Sequence, residues 1–100
     1  MKLGVLVNTD RHLRDVIGLT EAAVSKGHEV MLFTMDTGTR LLEDRSYTGL
    51  SKLSGVTVSV CEHSAAQHGV RTEGLPEGIA LGSQYHNAVM NNSADRVIVL

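Results

Sequence analysis

The sequence has 100 residues, of which 42% are hydrophobic and 20% charged, and its net charge is −2. This length predicts one domain spanning residues 1–100, and the scattered charges form no basic patch for nucleic acid. No apolar stretch approaches the ~20 residues that span a bilayer, and the apolar start is too short for a signal peptide. We therefore predict a cytoplasmic globular protein that binds neither DNA nor membranes.

The first third of the chain predicts two strands with a helix between them. "KLGVLV" (2–7) and "HEVMLFT" (28–34) are apolar runs typical of buried strands. "LRDVIGLTEAAVSKG" (13–27) carries one apolar stripe at helical spacing, and Gly27 suits the end of this helix. Gly18 inside the helix costs about 1 kcal/mol relative to alanine, so we expect it to pack closely on the sheet.

The middle of the chain is harder to assign. Residues 36–54 are expected to form a loop or one helical turn, followed by a short helix that carries Tyr47, Leu50 and Leu53 three residues apart and ends near Gly55. "VTVSVC" (56–61) is rich in β-branched residues and predicts the third strand. "EHSAAQHG" (62–69) predicts two helical turns that Gly69 ends.

The last quarter predicts two more strands. "IAL" (79–81) is a short candidate strand, and "DRVIVL" (95–100) is the last one. Between them, residues 83–92 predict a helix with Ser83 as its N-cap.

Strand and helix thus alternate about five times along the chain. This alternation predicts a three-layer α/β/α fold with a parallel sheet of about five strands and helices on both faces. The strands are nearly continuous apolar runs, as expected for strands covered on both sides. The crossovers between them should be right-handed.

Ligands and catalytic groups of open parallel sheets collect beyond the carboxyl ends of the strands. The polar residues expected there are Asn8, Thr9, Asp10, Asp36, Thr37, Cys61, Glu62 and His63. Thr9 or Asp10 is also the expected N-cap of the first helix, whose N-terminus could hold an anion.

Cys61 is the only cysteine and sits where a strand gives way to a helix. Free backbone N–H groups and the helix dipole can stabilise a thiolate at such a junction. Glu62 acts in the opposite direction, because an adjacent carboxylate raises a thiol pKa, whereas His63 can offset this effect. Cysteine is equally typical of buried structural positions, so a reactive and a structural thiol both remain open from the residues alone.

The other motifs of known chemistry are missing. The five histidines show no metal-ligand spacing, and the turn after the first strand contains neither a G-x-G-x-x-G nor a Walker sequence. His68 is expected at a helix end, where a cation suits the dipole. A Cys–His hydrolase would need a base oriented towards the sulfur, and nothing in the sequence orients His63. We predict neither a metal nor an organic cofactor.

Two segments resemble the DsrE/TusD-like proteins of the DsrE/DsrF family, which are small sulfur-relay proteins. "VSVCEHSAAQHGV" (58–70) is similar to their cysteine segment, a strand ending in cysteine followed by a short Ala-rich helix and "GV". "EGIALGSQYHNAVMNNSADRVIVL" (77–100) is similar to their final strand–helix–strand. The chain differs by having a shorter connection, "RTEGLPE", before this ending and by Glu62 after the cysteine.

The resemblance implies a sulfurtransferase-like carrier that assembles into trimers or hexamers. Its cysteine, here Cys61, would accept sulfane sulfur as a persulfide and pass it to a partner sulfur-carrier protein, in tRNA thiolation or dissimilatory sulfur metabolism. His63, Glu62, Asn8 and His12 are the candidates for tuning the thiol or lining its pocket. The alternative is a non-catalytic assembly or small-ligand-binding subunit of the same family in which Cys61 is inert.

Overall fold

The structure is a computed structural model that describes all of residues 1–100. Its five strands are β1 (Lys2–Val7), β2 (Glu29–Thr34), β3 (Val56–Cys61), β4 (Ile79–Gly82) and β5 (Arg96–Val99). Its α-helices are α1 (Leu13–Ser25), α2 (Arg45–Thr48), α3 (Glu62–Gln67) and α4 (Gln84–Ser93). Two 3-10 helices, Asp36–Glu43 and Gly49–Lys52, flank α2. None of these helices has the length and hydropathy that a bilayer crossing requires.

The strands form one parallel sheet in the order β4-β3-β2-β1-β5. From β1 to β4 the chain steps across the sheet in one direction, and the connection through α4 then returns it to β5 beside β1. Because such crossovers are right-handed, α4 lies on the face opposite to α1, α2 and α3. The predicted three-layer α/β/α architecture with five parallel strands is confirmed.

The two faces of the sheet differ in how much they bury. Alternate side chains of β1, β2 and β3 join the helices α1 to α3 in a cluster of 17 buried hydrophobic residues. On the α4 face, only Phe33, Cys61 and Met90 form a buried cluster. Met90 packs closely on Gly4, where a Cβ would lie 3.0 Å from its Cγ, so glycine lets α4 approach the sheet. Cys61 therefore belongs to the thinly covered face.

The segment between β2 and β3 is helical almost throughout. The residues expected to form a loop or one turn instead form the first 3-10 helix, which buries Leu41 and Leu42 against the core. A short helix follows, as predicted, and it buries Tyr47 completely. The Tyr47 hydroxyl is hydrogen-bonded to the Thr34 hydroxyl at 2.5 Å. Burial raises the pKa of Tyr47 well above its ordinary value, although the bond to Thr34 opposes this rise.

Three local expectations are wrong. A Cβ built on Gly18 would meet no atom within 4 Å, so this residue faces open space and not the sheet. Neither Thr9 nor Asp10 caps α1, because the helix begins only at Leu13 and its N-cap is His12, which makes no side-chain capping bond. All four residues of β5 are exposed, since β5 is an edge strand with a partner on one side only.

Candidate active site

An open cleft lies where the carboxyl ends of β2, β3 and β4 meet α3 and the start of α4. Its volume is about 920 Å³. Met35 and Asp36 line it after β2, Cys61 lines it at the end of β3, and five further lining residues come from α3 and the residue after it. The four residues Gly82 to Tyr85, which run from the end of β4 into the first turn of α4, complete the wall. The cleft thus occupies the edge of the sheet where ligands of parallel sheets collect.

Cys61 is the last residue of β3 and also the N-cap of α3, with an extended backbone (φ −76°, ψ 109°). Its exposed fraction is only 3%, yet it lines the cleft. An N-cap side chain lies beside the free N–H groups of the first helical turn. The N–H groups of His63 and Ser64, the Ser64 hydroxyl and the Gln84 side-chain amide are near enough to the sulfur to influence its pKa. The thiol makes no capping hydrogen bond of regular geometry, because a neutral sulfur is a weak acceptor.

These surroundings change the acidity of the thiol. Burial raises the pKa of Cys61, but the donors of Ser64, Gln84 and His63 together lower it by more, so the pKa lies below its ordinary value. The carboxylate of Glu62, which the sequence suggested would raise this pKa, is not among the causes of the shift. Glu62 is exposed, and solvent screens its charge. The donors around Cys61 therefore stabilise its thiolate by more than burial destabilises it.

Gln84 was not identified from the sequence. It is the first residue of α4, behind the N-cap Ser83, whose hydroxyl accepts from the Tyr85 N–H as predicted for a cap. Its carbonyl oxygen accepts a hydrogen bond of 3.2 Å from Asn87 one turn later, which leaves its NH₂ group facing Met35 Sδ at 3.7 Å and Cys61. Gln84 could have been found by the same rule that identified the other candidates, because it is a polar residue that follows the carboxyl end of β4.

A carboxylate–imidazole pair forms another part of the cleft wall. His68 Nε2 lies 2.9 Å from Asp36 Oδ1, and both residues line the cleft. Asp36 has a φ of +51°, in the left-handed region. The sequence placed His68 at a helix end, which the structure confirms, but gave no indication of its partner 32 residues away.

The remaining sequence candidates fall in two groups. Glu62 and His63 line the cleft with Cys61, and the side chains of both are exposed. Asn8 and His12 do not line it, and His12 instead lies 3.8 Å from the Asp15 carboxylate at the start of α1. No three His, Cys, Asp or Glu side chains are grouped closely enough to hold a metal ion.

The fold is shared with solved structures. The crystal structure of YchN from E. coli matches over 100% of both chains with a TM-score of 0.71 and 21% sequence identity. MTH1491 from Methanobacterium thermoautotrophicum, described as a protein of unknown function, matches over 99% of this chain and 98% of its own with a TM-score of 0.77 and 17% identity. No protein-family model and no curated protein sequence matches the chain. At these identities the likeness establishes a YchN-like α/β/α fold.

Proposed function

We propose that the protein is a DsrE/TusD-like sulfur carrier that accepts sulfane sulfur as a persulfide on Cys61 and passes it to a partner sulfur-carrier protein. The observation that carries this proposal is the position of Cys61 in the cleft, among four donors that together lower its pKa. The similarity of residues 58–70 and 77–100 to that family gives independent support, and the YchN-like fold is compatible with it.

The chemistry needs one thiolate and no net redox change. The Cys61 thiolate attacks the outer sulfur of a donor persulfide, R–S–SH, so that one S–S bond forms while another breaks and R–S⁻ leaves. Cys61 then carries the sulfur as Cys61–S–SH. The thiolate of the acceptor attacks the same outer sulfur and restores the Cys61 thiolate. One cysteine is sufficient, because the donor and the acceptor supply the other sulfur atoms. A second thiol in the chain would compete with the acceptor for the transferred sulfur.

The partners in this proposal are proteins that donate and accept sulfur, and further copies of the chain. The cleft has a volume of about 920 Å³, and its wall is open to solvent at Tyr85, which is 71% exposed, so a partner protein can approach it there. Exposed apolar side chains on α4 and β5, among them Val89 and Val99, support the homo-oligomer that the family resemblance implies. We place this relay in the cytoplasm, where a lone cysteine stays reduced.

Intact-mass measurement after incubation with a persulfide donor tests the proposal. The wild-type protein should gain the mass of one sulfur atom, and a reductant should remove it. Cys61→Ser, which keeps the shape of the side chain, should gain none. Uptake by Cys61→Ser, or no uptake by the wild type, would contradict sulfur transfer through this residue.

A second candidate function has one observation in its favour. An exposed fraction of 3% is typical of an inert structural thiol, as expected for an assembly or small-ligand-binding subunit. Alkylation with iodoacetamide separates the two functions. A sulfur carrier should react in its native state, whereas a buried structural thiol should react only after unfolding.

A further inference from the structure

The Asp36–His68 pair is the one ionisable pair whose two members both line the cleft of Cys61. His68 is the residue after α3 and Asp36 the second residue after β2, so the fold itself brings them together. The His68 side chain is only 20% exposed, and its Nε2 is 2.9 Å from the carboxylate. Its Nδ1 has no hydrogen-bond partner in the chain and remains free for a bound molecule.

The backbone around Asp36, the first residue of the 3-10 helix, holds this carboxylate in place. A positive φ is uncommon for a residue with a side chain, and such conformations concentrate at functional sites. The Thr39 hydroxyl donates a 2.8 Å hydrogen bond to the Asp36 carbonyl. Gly38 lies so close to the Val7 carbonyl that any Cβ at this position would collide with it. The backbone at Asp36 is therefore held by the two contacts that Gly38 and Thr39 make.

The distance between His68 and Cys61 decides what the imidazole can do. The two residues lie at opposite ends of α3, seven positions apart, which corresponds to about 10 Å along a helix. No hydrogen bond joins His68 to Cys61, and His68 is not among the groups that change the pKa of the thiol, so His68 is not placed to deprotonate Cys61. The separation does fit a sulfur donor lying between them.

In displacement at sulfur, the attacking, transferred and leaving sulfur atoms lie in line. Two S–S separations of about 2 Å each place the leaving sulfur about 4 Å from Cys61 Sγ. A hydrogen bond of about 3 Å then reaches to about 7 Å. The separation of about 10 Å is counted along the helix backbone, and both side chains line the same cleft. A donor bound in the cleft with its outer sulfur at Cys61 can therefore place its leaving sulfur beside His68.

We propose that His68, oriented by Asp36, is a second catalytic residue, which protonates the thiolate that leaves the sulfur donor. This inference rests on the proposed function. A carboxylate held on one ring nitrogen orients the imidazole, as in hydrolase triads, and histidine is the most frequent general acid and base in enzymes. The imidazolium gives its Nδ1 proton to R–S⁻, which departs as R–SH.

The same group completes the return step. Neutral His68 takes the proton from the acceptor thiol, R′–SH, and the resulting thiolate attacks the outer sulfur of Cys61–S–SH. The products are R′–S–SH, the Cys61 thiolate and the imidazolium with which the cycle began. The overall reaction, R–S–SH plus R′–SH giving R–SH plus R′–S–SH, balances in atoms, protons and electrons.

The test compares sulfur uptake from two donors whose leaving thiols differ in basicity. An alkyl persulfide releases a basic thiolate that needs a proton, whereas an aryl persulfide releases an acidic one that leaves unaided. In single-turnover experiments, His68→Gln should slow uptake from the alkyl donor by about 10²-fold, the usual size of acid catalysis, and from the aryl donor by only a few-fold. Asp36→Asn, which keeps the imidazole, should show the same preference to a smaller degree.

His12→Gln is the matched control, because His12 also lies beside a carboxylate, that of Asp15, but outside the cleft. It should match the wild type with both donors, and thermal melting should establish that each variant is folded. Equal losses with both donors in His68→Gln and Asp36→Asn would overturn the acid role in favour of a structural one. Wild-type rates in both would also overturn it, while sulfur carriage by Cys61 would stand. Failure of the wild type to take up sulfur from either donor would overturn sulfur carriage itself.

Discussion

On one face of the sheet, α1, α2 and α3 enclose a cluster of 17 buried residues, whereas on the other α4 alone covers a cluster of three. Cys61 belongs to the smaller cluster. Burial of apolar surface dominates folding stability, so the thick face carries most of it. None of the residues that line the cleft belongs to the main core. Stability and chemistry are thus separated across a single layer of strands.

Two neighbouring residues of β2 offer the most direct test of whether the two faces contribute differently to stability. Leu32, 1% exposed, belongs to the thick face, and Met31 packs partly buried on the thin face. Leu32→Ala should lower the free energy of unfolding by about 3 kcal/mol through cavity formation. Met31→Ala should lower it by about 1 kcal/mol, because fewer contacts are lost. Urea denaturation measures both values, and equal losses would show that the two faces share the stability evenly.

The second prediction concerns the polar bond inside the thick face. Tyr47→Phe removes the hydroxyl partner of Thr34 and leaves a buried hydroxyl unpaired. We expect a loss of about 1–3 kcal/mol in the free energy of unfolding. Adding Thr34→Val removes the orphaned group and should recover part of this loss. A Tyr47→Phe protein as stable as the wild type would mean that the bond contributes nothing to the thick face.

The same division separates what the sequence could predict from what it could not. The strands and helices of the thick face, and the place of Cys61 between β3 and α3, follow from local patterns of apolar and β-branched residues. Ser83 is likewise a local signal, because a cap acts on its own helix. The apolar sequence of β5 looks like that of a buried strand, and only the strand order shows that β5 is an exposed edge strand.

The cleft was predictable in its location but not in its partners. The rule for carboxyl ends of strands brings Cys61 and Asp36 to one edge of the sheet. The pairing of Asp36 with His68 depends on the left-handed turn at residue 36, for which aspartate gives no firm signal. The effect of Glu62 on the thiol was predicted from adjacency in sequence, whereas its exposure decides the outcome.

The third and smallest effect is expected on the thin face, at the thiol itself. Because donors lower the pKa of Cys61, its alkylation by iodoacetamide should reach half of its maximal rate at a pH below the ordinary thiol value. Gln84→Ala removes one donor, destabilises the thiolate and should move this midpoint to higher pH. At neutral pH, alkylation should slow by roughly fivefold, the effect of a hydrogen bond of about 1 kcal/mol.

Gln67→Ala is the matched control for Gln84→Ala, since Gln67 also lines the cleft but is not among the donors that act on Cys61. Its alkylation profile should coincide with that of the wild type. The same shift in both variants would mean that any loss of cleft wall changes the thiol, and that the aimed amide of Gln84 has no particular role. An unchanged midpoint in Gln84→Ala would contradict a role for Gln84. The groups that lower the pKa of Cys61 would then be Ser64 and the backbone of the first turn of α3 alone.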